Sequence, residues 1–187
     1  MAKSSLDLAR SRILISNDDG VSSHGLKLLE RVARTLTDDV WVVAPEVEQS
    51  GTGHSLSLRR PLRIRKITSR KFAVDGTPTD CILMAVNQVM RDNPPDLVLS
   101  GINHGGNLGE DTTYSGTIAA AMEATLLGFP AVALSQFIEG DTGPGYGKKL
   151  RWAAAEAHAA KDDRKVVSVP FPRDVFIVGT VPRHWHV

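Results

Sequence analysis

Four short apolar runs constrain this chain more than anything else in it: Ile13-Leu14-Ile15-Ser16, Val40-Trp41-Val42-Val43-Ala44, Leu97-Val98-Leu99-Ser100 and Ala131-Val132-Ala133-Leu134-Ser135. None alternates apolar with polar residues, so each reads as a strand covered on both faces, the habit of parallel sheets. Between the first two, Leu26, Leu29, Val32, Ala33 and Leu36 recur at three- and four-residue steps, which predicts an amphipathic helix over about 22–37. Strand, helix, strand is a βαβ unit with a right-handed crossover. The expected architecture is α/β: a three-layer, doubly wound, Rossmann-like, mostly parallel sheet.

The other segments fit around that frame. Leu62-Arg63-Ile64-Arg65 and Phe72-Ala73-Val74 alternate in the period of a β-hairpin extension. Asp75-Gly76-Thr77-Pro78 is a turn. Thr79 or Asp80 is expected to cap a helix whose buried stripe is Ile82, Leu83, Val86, Val89 and Met90. An Ala-rich helix opens at Tyr114-Ser115-Gly116-Thr117 and runs through Leu127, with Gly128 as its closing glycine. Farther on, 147–160 reads as a helix, and Val166 to Val169 and Val175 to Val178 as short strands. At 187 residues the chain fits one domain, with a core over 12–136 and a divergent segment over 137–187.

Polar clusters follow three of the four apolar runs. Asn17-Asp18-Asp19-Gly20 follows the first, Gln49-Ser50-Gly51 lies in the long Glu46 to Leu58 connection after the second, and Asn103, His104 and Asn107 follow the third. A doubly wound sheet gathers the carboxyl ends of its strands at one edge, where ligands bind. Adjacent carboxylates repel unless a proton or cation lies between them. The donors are carboxylate, hydroxyl and amide oxygens, which suit Mg²⁺, Mn²⁺ or Ca²⁺ over Zn²⁺. Ser115 at a helix start adds backbone N–H groups that favour an anion. Cation and anion sites together suggest phosphate chemistry, in which a divalent ion polarises the phosphoryl group and lowers the pKa of a bound water. Taken singly, Asp-Asp-Gly reads as a turn, Ser115 as a structural cap, and His24, His54 and His104 as surface loop residues. His104, inside the Asn103 cluster, is the best of the three for a substrate contact.

Five stretches in order resemble the SurE family of survival-protein nucleotidases: Ile13 to Gly20; Val43-Ala44-Pro45 leading to Gln49-Ser50-Gly51; Gly76-Thr77-Pro78-Thr79-Asp80-Cys81; Ser100-Gly101-Ile102-Asn103 with Gly105 and Asn107; and Tyr114-Ser115-Gly116-Thr117. The resemblance implies a phosphatase that hydrolyses nucleoside 5′- and 3′-monophosphates with one divalent cation, Mg²⁺ or Mn²⁺, per subunit. It implies that Asp18, Asp19, Ser50 and Asn103 hold the cation. Asp18, Asp19 and Asn103 would carry the catalysis through a metal-activated water. Asn107, Ser115, Gly116 and Thr117 would line the phosphate pocket. Beside the resemblance, the positions of Asn17, Gly51 and His104 in the same clusters make them expected substrate contacts, Asn17 chiefly as a turn residue supporting the site. Dimers or tetramers are implied as well. Residues 137–187 do not reproduce the family's C-terminal pattern and the chain ends sooner than its members do, so weaker assembly is expected.

A net charge of +1 argues against nucleic acid as the main partner. The basic run Arg59-Arg60, Arg63, Arg65-Lys66 and Arg70-Lys71 alternates with apolar residues, as the solvated face of strands does. A single cysteine, Cys81, suits a reducing compartment. Met1 to Arg12 lacks the apolar core of a signal peptide, and no apolar run approaches the ~20 residues of a membrane span, so a cytoplasmic protein is expected. A non-catalytic nucleotide- or phosphate-binding module is the alternative. A dinucleotide oxidoreductase ranks behind both, because the first strand–helix turn lacks the GxGxxG pattern.

Overall fold

The four apolar runs lie in one seven-stranded sheet of order β3-β4-β2-β1-β5-β6-β7. Its strands are β1 (Ile13–Ser16), β2 (Val40–Pro45), β3 (Ile64–Thr68), β4 (Lys71–Val74), β5 (Leu97–His104), β6 (Ala131–Gln136) and β7 (Ile177–Val181). The structure is a computed structural model that describes residues 6–137, 152, 155 and 175–181. Every neighbouring pair is parallel except the β3–β4 hairpin. This is the doubly wound, mostly parallel sheet that the sequence predicts.

Strand composition explains the layers. Within β1, Ile13 and Ile15 point to one face and Leu14 to the other. Helix α1 (His24–Ala33) covers the first face through Leu26, Leu29 and Val32. Helices α2 (Pro78–Met84) and α4 (Gly116–Leu126) cover the second, where Cys81, Ile82, Ile118, Ala120, Ala121 and Ala124 pack on Leu14, Val43 and Val98. The small residues of α4 let it lie close to the strands. The thiol of Cys81 is enclosed there, and burial pushes its pKa up, so it is chemically quiet.

Several local expectations shift. Helix α1 starts later than about 22 because Ser23 caps it, its side chain accepting from the Leu26 N–H. The cap of α2 is Thr77, not Thr79 or Asp80. Thr77 accepts from the Asp80 N–H while the Asp80 carboxylate accepts from the Thr77 N–H, and Pro78 takes the first helical position. The buried stripe of α2 is correspondingly Cys81, Ile82, Ala85 and Met90, with Leu83, Val86 and Val89 only half-buried. Past Met84 the helix widens into a π turn, Ala85–Val89. The third core strand runs on to His104, with an irregularity between Ser100 and Asn103. A short helix α3 (Asp111–Tyr114) precedes α4. Gly128 takes φ +89° just past the C-cap of α4, the left-handed position where glycine is favoured. Strand β3 is exposed along most of its length, and Arg63 and Arg65 pair with Glu46 and Asp75. The expected strand around 175–178 is β7. Apart from Trp152 and Ala155, the expected helix 147–160 lies outside the described residues, as does the strand Val166 to Val169. Among the described residues no helix is long and apolar enough to cross a membrane.

Candidate functional site

The sheet reverses its winding direction between β1 and β5, and the two predicted clusters with the most oxygen donors sit at the carboxyl ends of these strands. Backbone bonds draw the second cluster to the first. The Gln49 N–H donates to the Asp18 carbonyl at 2.7 Å, and the Val21 N–H to the Pro45 carbonyl at 2.8 Å. Gly20 permits the approach: it takes φ +94°, and a Cβ there would lie 3.2 Å from the Val47 carbonyl carbon.

Asp18 is 3% exposed. The Thr117 hydroxyl donates to its Oδ1 at 2.5 Å, and the Gly116 and Thr117 backbone N–H groups bond to the same carboxylate. The start of α4 therefore holds an anion, and that anion is the Asp18 side chain. The need for glycine at 116 follows directly: a Cβ there would lie 2.7 Å from Asp18 Cβ and 3.1 Å from Asp18 Oδ2. Desolvation still outweighs these bonds and raises the Asp18 pKa. Among the described residues, Asp19 receives only the His104 backbone N–H, at 3.4 Å. Burial first, then the neighbouring Asp18 charge, push its pKa up to about 6.

Among the other candidates, Asn17 is fully buried and works within the turn. Its Nδ2 donates to Ser23 Oγ at 2.8 Å and to the Gly20 carbonyl at 3.2 Å, while its Oδ1 has no partner among the described residues. Ser50 is exposed and donates to Glu48 Oε1 at 2.9 Å, so its hydroxyl points to a third carboxylate beside Asp19. Glu48 contributes to the upward push on Asp19. Gly51 takes φ +75° with open space around it. Asn103 Nδ2 donates to the Gly105 carbonyl at 2.9 Å. His104 meets Asp19 through its backbone N–H, and its side-chain charge also acts on that carboxylate, opposing the upward push. Asn107 is buried, anchored by its backbone N–H to Ser135 Oγ at 3.4 Å, and its Nδ2 has no acceptor among the described residues. Ser115 caps α4, its Oγ accepting from the Ile118 N–H at 3.1 Å.

The structure thus draws the Asp18 carboxylate to the α4 start, the Asp19 carboxylate to the β5 end and the Gln49 backbone to the β1 end. The side chains of Ser50 and Asn103 instead bond to near neighbours in sequence, Glu48 and the Gly105 carbonyl. Among the described residues no three His, Cys, Asp or Glu side chains gather as a metal-binding group. A cation at Asp18 and Asp19 would complete its shell from neutral oxygens, and the adjacent all-oxygen pair, Asp18 buried and Asp19 half-buried, fits a hard divalent ion. Sequence reasoning missed two participants. Glu48 had a signal, lying two residues before Ser50. Glu123 is the lone acid in the Ala-rich helix and meets His54 at 2.7 Å, and periodicity does not reveal that pairing.

The family model described as Survival protein SurE matches residues 13–183 of this chain, well past the motifs within 12–136. The 5′-nucleotidase SurE of Paramagnetospirillum magneticum is 56% identical over 94% of this chain and 65% of its own length. That of Rhodospirillum rubrum is 59% identical over 94% of this chain and 66% of its own. In the solved structures, SurE protein from Aquifex aeolicus superposes with a TM-score of 0.82 at 38% identity, covering 92% of this chain and 66% of that one. The chain spans about two thirds of the length of the relatives it matches. With the motifs, the sheet order and the family match in agreement, the chain belongs to the SurE family.

Proposed function

We propose that this chain is a phosphatase for nucleoside 5′- and 3′-monophosphates that works with one Mg²⁺ or Mn²⁺ per subunit. The observation that carries the reading is the Asp18–Asp19 pair at the winding reversal: neighbouring carboxylates, one buried and one half-buried, both held toward the neutral form. A cation is the natural substitute for the missing protons. The relatives named 5′-nucleotidase SurE support the substrate class.

In this reading Asp18 and Asp19 hold the ion, with Ser50 turning in from its loop and Asn103 from the end of β5. When bound, a divalent ion neutralises phosphoryl oxygens and supplies water of lowered pKa. The chain's residues do the positioning. Thr117 and the first N–H groups of α4 fix Asp18. The unpartnered Asn107 Nδ2 is a donor suited to a phosphate oxygen. Asp18 is too enclosed by donors to attack phosphorus itself, which favours water as nucleophile over an aspartyl-phosphate route. Gly51, His104 and Ser115 would border the substrate, and Asn17 would shape the turn beneath it. The expected partners are a small nucleotide and further copies of the chain, in a reducing, cytoplasmic setting.

Phosphate release from 5′-AMP and 3′-AMP should require Mn²⁺ or Mg²⁺ and stop with EDTA. Release that persists in EDTA would overturn the cation's role, and tight AMP binding without release would establish the non-catalytic alternative. A pH dependence follows from Asp19. A carboxyl whose folded pKa lies near 6, above the ordinary 3.8, favours folding while protonated; that contribution is full below the ordinary value and lost as pH rises through about 6. The cation restores it. The rise in melting temperature with Mn²⁺ should therefore be larger near pH 7.5 than near pH 5, and equal shifts would contradict the link.

A further inference from the structure

The buried side of helix α4 is mostly alanine, with two threonines, Thr117 and Thr125, and a single ionisable group, Glu123, which is 9% exposed. A lone buried carboxylate costs several kcal/mol unless paired. Its partner is His54 Nε2, at 2.7 Å from Glu123 Oε2 and 69 residues away in sequence. One hydrogen bond joins the ring nitrogen and the carboxylate oxygen, and it closes the distance between loop and helix.

His54 belongs to the loop that carries Ser50. The loop's near end is pinned by the Gln49 N–H on the Asp18 carbonyl. Thr52 closes a turn around Ser50 by donating from Oγ1 to the Gln49 carbonyl at 2.8 Å. The Gly53 N–H then donates to the Tyr114 carbonyl at 3.1 Å, just ahead of α4, and His54 reaches Glu123 within it. Farther along, Thr77 Oγ1 donates to the Ser55 carbonyl and the Ser57 N–H to Asp80 Oδ1. Glu123 lies six residues beyond Thr117, about 9 Å along one rigid helix. The helix that fixes Asp18 at its start thus fixes the Ser50 loop farther along its length.

We propose that His54 and Glu123 are a positioning pair that registers the Ser50 loop against Asp18 through helix α4, and so sets the affinity of the cation site. The inference rests on the cation reading above. It assigns the pair no contact with substrate or ion: both residues act through Ser50.

Two measurements on the full chain test it. Mn²⁺ affinity, read from the paramagnetic resonance signal of free Mn²⁺, should weaken 10–100-fold in His54→Leu, the range seen when an outer partner of a metal ligand is lost. In His54→Gln, which keeps an N–H donor, it should stay within about threefold of the parent. Amide exchange over Gln49 to Ser55 in metal-free protein should accelerate in His54→Leu and not in His54→Gln. The double variant His54→Leu/Glu123→Leu buries no unpaired carboxylate, so it serves if the single variant fails to fold, and it should match the predicted His54→Leu values. Unchanged affinity together with unchanged exchange would overturn the pairing's role. A parent protein that binds no Mn²⁺ would instead defeat the cation reading, and the exchange result alone would then decide whether the pair holds the loop.

Discussion

Asp18→Asn is expected to reduce phosphate release from AMP by about 10³-fold or more, while leaving the metal-free protein as stable as the parent or more so. The two effects have opposite origins. The loss removes the charge that a bound cation needs; an electrostatic contribution of several kcal/mol to the transition state corresponds to roughly three powers of ten in rate. The stability is retained because the parent carboxylate is itself costly. It sits 3% exposed, desolvated and beside Asp19. An amide of the same shape still accepts from the helix N–H groups through its oxygen and donates to the Thr117 hydroxyl, which turns to accept. Asn at 18 also relieves Asp19 of a neighbouring charge. Thermal melts with and without Mn²⁺ separate these effects: the variant should lose the Mn²⁺-dependent rise and keep the metal-free midpoint. Near-parental turnover in the variant would remove Asp18 from the mechanism.

Gly25→Ala should be the most damaging small substitution away from the carboxylates. Gly25 lies in the first turn of α1, and a Cβ there would come 1.9 Å from the Ile102 carbonyl oxygen and 3.0 Å from Trp152 Cη2. The obstacle is strand backbone, which cannot rotate aside, so α1 must lift from β5. Overpacking of this kind costs about 3 kcal/mol or more, which lowers the melting temperature of a chain this size by roughly 10 °C. Ile102 adjoins Asn103, so the lift also disturbs the β5 end of the site, and Mn²⁺ affinity should fall with stability. Gly128→Ala is the control. Its position has φ +89° and open space, so it carries only left-handed strain, about 1 kcal/mol. Equal melting temperatures for the two variants would show that α1 does not rest on β5 in this way.

What the sequence reveals of this fold follows from how local each signal is. Strands buried on both faces need continuous apolar runs, so β1, β2, β5 and β6 are plain from composition alone. The hairpin is legible from its alternation, and the α4 end from Gly128. Asp18, Asp19, Asn103 and Ser50 stand out because polar clusters interrupt strand ends where a parallel sheet has its ligand edge. The occupant of the α4 start is not legible. Ser115-Gly116-Thr117 reads as an anion site, but only the fold shows that the Asp18 carboxylate takes those donors, across 99 residues of sequence. Thr77 was hidden for a related reason: Thr77, Thr79 and Asp80 all offer cap chemistry, and the backbone path selects one. The His54–Glu123 contact is hidden altogether, since a loop histidine and a helix glutamate carry no mark of each other.

The claim on which everything else depends is that the Asp18–Asp19 pair holds a divalent cation. A crystal structure of the protein soaked with Mn²⁺, with anomalous scattering recorded at the manganese edge, addresses it most directly. The expected result is a peak between the Asp18 and Asp19 carboxylates, with the Ser50 hydroxyl released from Glu48 and the Asn103 amide oxygen turned toward the ion. A fully soaked crystal with no anomalous peak there, or with one held by other side chains, would contradict it.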